Sequence, residues 1–278
     1  MLEELPRLEF LPINSLILHE WHDNQRTPPL VERIRESGLF RNPPVVAPLR
    51  DGSVRFMVLD GANRFTALQQ MGYRDILVQV VQPEDAGIRL QNWNHVIWGL
   101  SPAGFLAAIR SLKGISLVET TDHDAQPELV GGCGLAFIQL PGSIRYNLCA
   151  EAEDLLSRVH LLNDLVMSYI GRAHLDRTSV RQVDILANIY PGLSGLVIFP
   201  HFDVVDILEL AGAGYLLPAG ITRFTIAPRA LHINYPLSEL ASDKPIEEKN
   251  AGLRTWIQER IARKGVRYYA EPTFLFDE

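Results

Sequence analysis

Val58-Leu59-Asp60-Gly61-Ala62-Asn63-Arg64-Phe65-Thr66-Ala67-Leu68-Gln69-Gln70-Met71-Gly72 reads as a short apolar strand that ends in a carboxylate, turns on a glycine and enters a helix whose first turn carries Asn63, Arg64 and Thr66. Gly61 lets the backbone turn tightly and come close to a ligand. The unpaired N–H groups and positive dipole end of the helix face that approach, which suits a phosphate. Arg64 adds a guanidinium fork matched to phosphate oxygens, and Asp60 can hold a metal or a proton beside them. The plain alternative is an ordinary strand-to-helix turn. In it Arg64 is solvated and Asp60 is a helix N-cap or Asx turn that stabilises locally by about 1 kcal/mol.

The segment Asp60-Gly61-Ala62-Asn63-Arg64 resembles the D-G-x-[HN]-R motif of the ParB/sulfiredoxin-like superfamily, in which this turn binds nucleotide phosphates. Upstream, Gly38-Leu39-Phe40-Arg41-Asn42-Pro43-Pro44-Val45-Val46 resembles the passage from helix end to strand that the same superfamily places before its cradle. Leu16-Ile17-Leu18-His19-Glu20, followed by Arg26, resembles the H-E-x(n)-R segment of one branch, the free serine kinases. That branch includes an archaeal ADP-dependent enzyme and an ATP-dependent enzyme of staphylococcal siderophore clusters. Asn92-Trp93-Asn94-His95 and Leu217-Pro218-Ala219-Gly220-Ile221-Thr222-Arg223 match two later segments in the family's order.

The resemblance implies an α/β fold, α+β overall, in which a ParB/sulfiredoxin-like nucleotide-binding domain over 1–83 is closed by an α+β region over 84–245. A basic C-terminal helix and tail would occupy 246–278. It implies phosphorylation of free L-serine to O-phospho-L-serine, with ATP or ADP as donor and Mg²⁺ as the metal. Glu20 would be the general base and Asp60 the metal-binding carboxylate. Gly61, Ala62, Asn63, Arg64 and Thr66 would bind the nucleotide, with Arg41 and Arg26 as further phosphate candidates. His19, Trp93, His95, Thr222 and Arg223 would face the amino acid. Such a transfer needs a base for a weakly acidic hydroxyl, a metal across the phosphates and cations around the moving phosphoryl group, and the sequence has candidates for each.

Set apart from the resemblance, several of these residues have plainer readings. Glu20 is also a loop glutamate, Trp93 and His95 are also core residues, and Arg26 and Arg41 are also surface arginines. A ParB-like transcriptional regulator is the non-enzyme alternative. The formal charge of −7 counts against a general nucleic-acid surface, as does the absence after residue 84 of tandem short helices with a basic face. Sulfiredoxin chemistry needs a cysteine inside the turn, where this chain has Ala62.

With 278 residues and 47% hydrophobic content, the chain can bury a substantial core. Cys133 and Cys149 have no C-x-x-C spacing, so buried free thiols are expected rather than a zinc site or redox pair. The N-terminus has no signal-peptide pattern and no apolar run suits a bilayer, so a cytoplasmic protein, without membrane partners and with homodimerisation open, is expected.

Periodicity predicts strands at Leu8–Leu11, Val45–Pro48, Phe56–Leu59 and Ile76–Val81, with a helix near Pro29–Glu36, the cradle helix ending at Gly72, and Glu20 in a polar loop after an apolar strand. Beyond residue 84 it predicts a mostly helical Asn92–Leu112 and a hairpin over Leu129–Asn147 around Pro141-Gly142. It also predicts amphipathic helices over Glu151–Ile170 and Val204–Leu210, then loop and strand over Tyr215–Leu231. The Lys249–Arg267 segment reads as a terminal helix docked through Trp256, in preference to a free partner-binding face.

Overall fold

A computed structural model of the chain describes residues 5–22, 26–121, 134–152 and 154–269. The first part of the chain forms β1 (Arg7–Pro12), β2 (Leu16–Leu18), α1 (Thr27–Ser37), β3 (Leu39–Phe40), β4 (Val45–Pro48), β5 (Phe56–Asp60), α2 (Ala62–Gln70) and β6 (Asp75–Val80). Five of these strands make one sheet in the order β1-β6-β4-β5-β2. Two-residue periodicity along β4 and β5 divides their side chains between two cores. Val46 and Val58 pack with Phe65 and Leu68 of α2, whereas Val45, Ala47, Met57 and Leu59 face the second half of the molecule. The sheet is therefore buried on both faces, which accounts for the apolar runs in the sequence.

The chain continues through β7 (Ile88–Asn92), β8 (Asn94–Trp98), α3 (Pro102–Arg110), β9 (Ile115–Glu119), β10 (Gly134–Gln139) and β11 (Arg145–Ala150). Next come α4 (Leu155–Met167), β12 (His174–Thr178), α5 (Val183–Ile189), β13 (Leu193–Ile198), α6 (Val204–Gly212) and β14 (Thr222–Ile226). A six-stranded sheet with order β12-β8-β13-β10-β11-β9 forms its centre, and β14 pairs with β7 beside it. The β10–β11 hairpin turns at Pro141-Gly142 as expected, while residues 129–133 of the predicted segment lie outside the described residues. The helices predicted over 151–170 and 204–210 are α4 and α6, with Asp154 capping α4 by accepting from the Ser157 N–H at 2.8 Å.

The mostly helical reading of Asn92–Leu112 is corrected by β7 and β8, which occupy its first part. Asn94–Trp98 is an interior strand between β12 and β13, and the β-branched pair Val96-Ile97 is fully buried there. The helix begins only at Pro102, where Ser101 accepts from the Gly104 N–H at 3.0 Å. Cys149 is half-buried in β11, and Cys133 lies outside the described residues.

After β14 the chain returns to the first sheet, forming β15 (Tyr235–Pro236), α7 (Leu237–Leu240) and α8 (Ile246–Ala262). β15 pairs with β3, and Leu253 and Trp256 of α8 dock on the first core, Trp256 edge-on to Tyr235 at 5.3 Å. Lys249 is buried against Asp75 at 2.8 Å. Asn250 accepts from the Phe10 N–H at 2.7 Å and donates to the Phe10 carbonyl at 3.1 Å. No helix among the described residues is long and apolar enough to cross a membrane.

Candidate active site

Strands β2 and β5 are parallel neighbours with Leu18 opposite Val58, so the residues just past their ends emerge side by side. His19 and Glu20 leave one strand where Asp60 and Gly61 end the other. With strands about 4.8 Å apart, this register alone places the two candidate carboxylates in one site.

Gly61 has φ +96°, in the left-handed region, and precedes α2 without any side-chain cap. A Cβ there would lie 3.0 Å from Pro44 Cα, Pro44 Cβ and the Arg64 guanidinium, so conformation and space both require glycine. The first intrahelical bond is from the Phe65 N–H to the Gly61 carbonyl, which leaves the preceding N–H groups directed out of the helix end. Asp60 does not cap them. Its Oδ2 accepts from Arg64 at 2.6 Å and also from Arg229, while Arg64 donates in addition to the Asn42 carbonyl at 2.7 Å. The upstream Asn42-Pro43-Pro44 passage thus shapes the cradle by orienting Arg64 and packing on Gly61.

Burial by itself pushes the Asp60 carboxyl up, but the charges of Arg64 and Arg229 outweigh it and hold the group below its ordinary range. Arg64 is pulled down by its own burial and by Arg229, against the pull of Asp60. With one carboxylate facing two guanidiniums, the cluster has a net charge of +1 beside an uncapped helix N-terminus. That is an anion site. Arg229 carries no motif in the sequence. It arrives because Gln79 clamps both of its flanks, donating to the Pro228 carbonyl and accepting from the Ala230 N–H, each at 2.9 Å.

Glu20 is held from the opposite side. Its Oε2 accepts from the Gly220 N–H at 3.1 Å and the Thr222 hydroxyl at 2.8 Å, whereas Oε1 has no partner among the described residues. The 217–223 segment reaches it because Leu217 bridges Glu20, exchanging bonds with the His19 carbonyl (2.8 Å) and the Trp21 N–H (3.0 Å). His19 is 5% exposed and sits behind Glu20, with Nδ1 at 2.7 Å from the Val58 carbonyl and Nε2 at 2.8 Å from the Thr222 hydroxyl. Arg223, next in β14, stacks over the half-buried Trp93 ring at 4.3 Å.

The expected site residues thus divide. Glu20, Thr222, Asp60, Gly61, Ala62, Asn63 and Arg64 gather around the ends of β2 and β5, with Trp93 and Arg223 stacked alongside. His19 lies one layer back. His95 is further back and fully buried: its nitrogens meet the Tyr169 hydroxyl (2.9 Å) and the Gly220 carbonyl (3.2 Å). Burial, assisted by the charge of Arg177, pulls His95 down to about 3 against the Gly220 hydrogen bond. As a neutral core group it supports the Gly220 turn, and the expectation that it touches the amino acid is corrected accordingly. Thr66 is buried in α2, and the Arg41 side chain is exposed while its carbonyl accepts from the Ile233 N–H. Sequence reasoning missed Arg177 as well as Arg229. Gly220 has φ +75°, in the left-handed region that favours glycine, and the Arg177 guanidinium lies where a Cβ would stand, so the arginine crosses the turn against bare backbone.

No protein-family profile matches the chain. It is 26% identical over 278 residues to the ATP-dependent L-serine kinase SbnI of Staphylococcus aureus, covering 98% of this chain and 97% of that protein. An ATP-dependent L-serine kinase of Staphylothermus marinus is 28% identical over 170 residues, 58% of this chain and 66% of the relative. The solved structure of SbnI with a C-terminal truncation superposes with a TM-score of 0.70 at 21% identity, over 92% of this chain and 97% of the other. A free serine kinase in complex with AMP superposes with a TM-score of 0.68 at 16% identity, over 84% and 93%. The chain has the fold of these kinases, and the resemblance carried by its motifs extends over nearly its whole length.

Proposed function

We propose that the protein is a free L-serine kinase of the cytoplasm, transferring the γ-phosphoryl group of ATP to the serine hydroxyl to give O-phospho-L-serine. The observation that carries this reading is the pairing of Glu20 with the Asp60–Arg64–Arg229 cradle at the ends of two adjacent parallel strands. One side of the site suits an anion and the other offers a carboxylate oxygen with no partner among the described residues. Phosphoryl transfer depends mostly on such positioning and charge.

In this reading the phosphates lie on the first N–H groups of α2, with Arg64 and Arg229 neutralising the charge that moves during transfer. Oε1 of Glu20 takes the hydroxyl proton as serine Oγ bonds to phosphorus and the bond from phosphorus to the bridging oxygen breaks. Trp93 forms a wall for the small substrate, and Arg223, held on that ring, binds its carboxylate. A magnesium ion carried in on the nucleotide fits the donor set. Asp60 Oδ2 serves both arginines while Oδ1 serves neither, and one or two carboxylates with phosphate oxygens are the usual partners of this ion. Bound through Asp60, it would offset phosphate charge.

The test is direct detection of phosphoserine by mass spectrometry after incubating the full chain with L-serine, Mg²⁺ and either ATP or ADP. Phosphoserine with ATP is expected. Absence of phosphoserine with both nucleotides would overturn the assignment.

A further inference from the structure

The His19–Thr222–Glu20 chain presents a hydrogen-counting problem. The Val58 carbonyl only accepts, so His19 Nδ1 must carry a proton. A neutral imidazole then has a bare Nε2, which can only accept from Thr222 at 2.8 Å. An ionised Glu20 likewise can only accept from the same hydroxyl, also at 2.8 Å. Thr222 has one proton for two acceptors. When His19 is an imidazolium the conflict disappears: Nε2 donates to Thr222, and Thr222 donates to Glu20.

We propose, resting on the serine kinase reading above, that the Thr222 hydroxyl is a rotor through which the ionisation of His19 sets the strength of Glu20 as a base. With His19 neutral, the hydroxyl turns to Nε2 and Oε2 keeps only the Gly220 N–H, so the carboxylate is the stronger base. With His19 charged, Oε2 receives both donors and faces a cation one hydroxyl away, so the carboxylate is the weaker base. The rotor moves no proton between residues. The serine proton still goes to Oε1, which Thr222 does not touch. His19 and Thr222 are positioning residues, and Glu20 remains the catalytic one.

Phe224 meets the His19 ring edge-on at 5.5 Å. The ionisable groups on the elements packed around it are Asp60 at the end of β5, Glu20 on its own segment, Arg223 beside Thr222, Arg177, which packs on Gly220, and Asp206 and Glu209 on α6, which lies against β2 and β5.

Two measurements on the full chain test the proposal. The first is the pH profile of phosphoserine formation at saturating ATP and serine. The wild type should gain roughly tenfold as His19 loses its proton, the scale of one hydrogen bond to a charged group. Thr222→Val should lose that limb and Thr222→Ser should restore it. A Thr222→Val enzyme that keeps the wild-type limb overturns the proposal. The second is ¹⁵N NMR of the histidine rings without substrate, with His19 identified among the eight histidines by its absence from His19→Gln. Glu20→Gln and Thr222→Val should each move the His19 titration to lower pH. Superimposable His19 curves in wild type, Glu20→Gln and Thr222→Val overturn the coupling. Because this measurement needs no turnover, a protein that makes no phosphoserine would sink the kinase reading while the rotor is still decided by the NMR arm.

Discussion

Replacing Asp60 by Asn keeps the shape of the cradle and removes its only negative charge. Asp60 faces Arg64 and Arg229, whose side chains are 20% and 27% exposed, so the pairs are partly screened. Charge-assisted hydrogen bonds contribute about 1.5–3 kcal/mol each when well buried. With screening and the neutral bonds that Asn retains, the loss of stability should be about 1–3 kcal/mol. The local charge rises from +1 to +2. An extra unit charge about 6 Å from a phosphate, at an effective dielectric constant of about 20, is worth at most about 3 kcal/mol. After salt screening, roughly 1 kcal/mol should remain, or about fivefold tighter binding of metal-free ATP. Turnover with Mg²⁺ should move the other way, falling at least about 100-fold as the metal-facing oxygen is lost. Calorimetry with ATP in chelator and in Mg²⁺, run beside the phosphoserine assay, separates the two effects. Weaker binding of metal-free ATP by Asp60→Asn would refute the charge argument, and unchanged turnover with Mg²⁺ would refute the metal role.

Gly61→Ala should lower stability by about 2–4 kcal/mol, from the left-handed backbone and the 3.0 Å contacts with Pro44, and should weaken nucleotide binding as Arg64 is displaced; equilibrium urea unfolding and calorimetry measure both. Glu20→Gln should reduce kcat by on the order of 10² to 10⁴ while nucleotide affinity is kept, and full phosphoserine production by this variant excludes Glu20 as the base. His95 is held at about 3, below an unfolded value near 6.5, so the unfolded chain binds the extra proton between those limits. The stability it contributes is complete above pH 6.5 and is lost as pH falls, by about 1.4 kcal/mol per pH unit. Urea midpoints at pH 5 to 6.5 should therefore fall less steeply in His95→Gln than in the wild type, and parallel slopes would contradict the neutral-core reading.

The parts of the site that could be read from sequence are those made by neighbours in the chain. Val58 to Gly72 contains strand, turn and helix start in one stretch, and Gly61 and Arg64 act within four residues of each other. Glu20 could be placed because it ends an apolar strand with a family resemblance. Arg229 could not, since it meets Asp60 across 169 positions through a loop fixed by Gln79 and Asn42. Arg177 reaches Gly220 only because β12 pairs with β8 in a sheet that local periodicity does not define. The same non-local pairing explains the misread 92–98 segment. An interior strand is buried on both faces, here with the polar Asn94 and His95 beside Val96 and Ile97, and lacks the alternation that separates strand from helix.

The double hydrogen bond between Asn250 and Phe10 has a bearing on how the chain is made. Asn250 stands in for a neighbouring strand, satisfying the backbone of β1 at the open edge of the first sheet. Its partner was synthesised 240 positions earlier, so during translation that edge waits, exposed, for nearly the whole of the remaining chain. Unpaired sheet edges are templates for pairing with other chains. Until α8 is made the Phe10 backbone has no such partner, and a premature stop ahead of Asn250 leaves that edge uncovered.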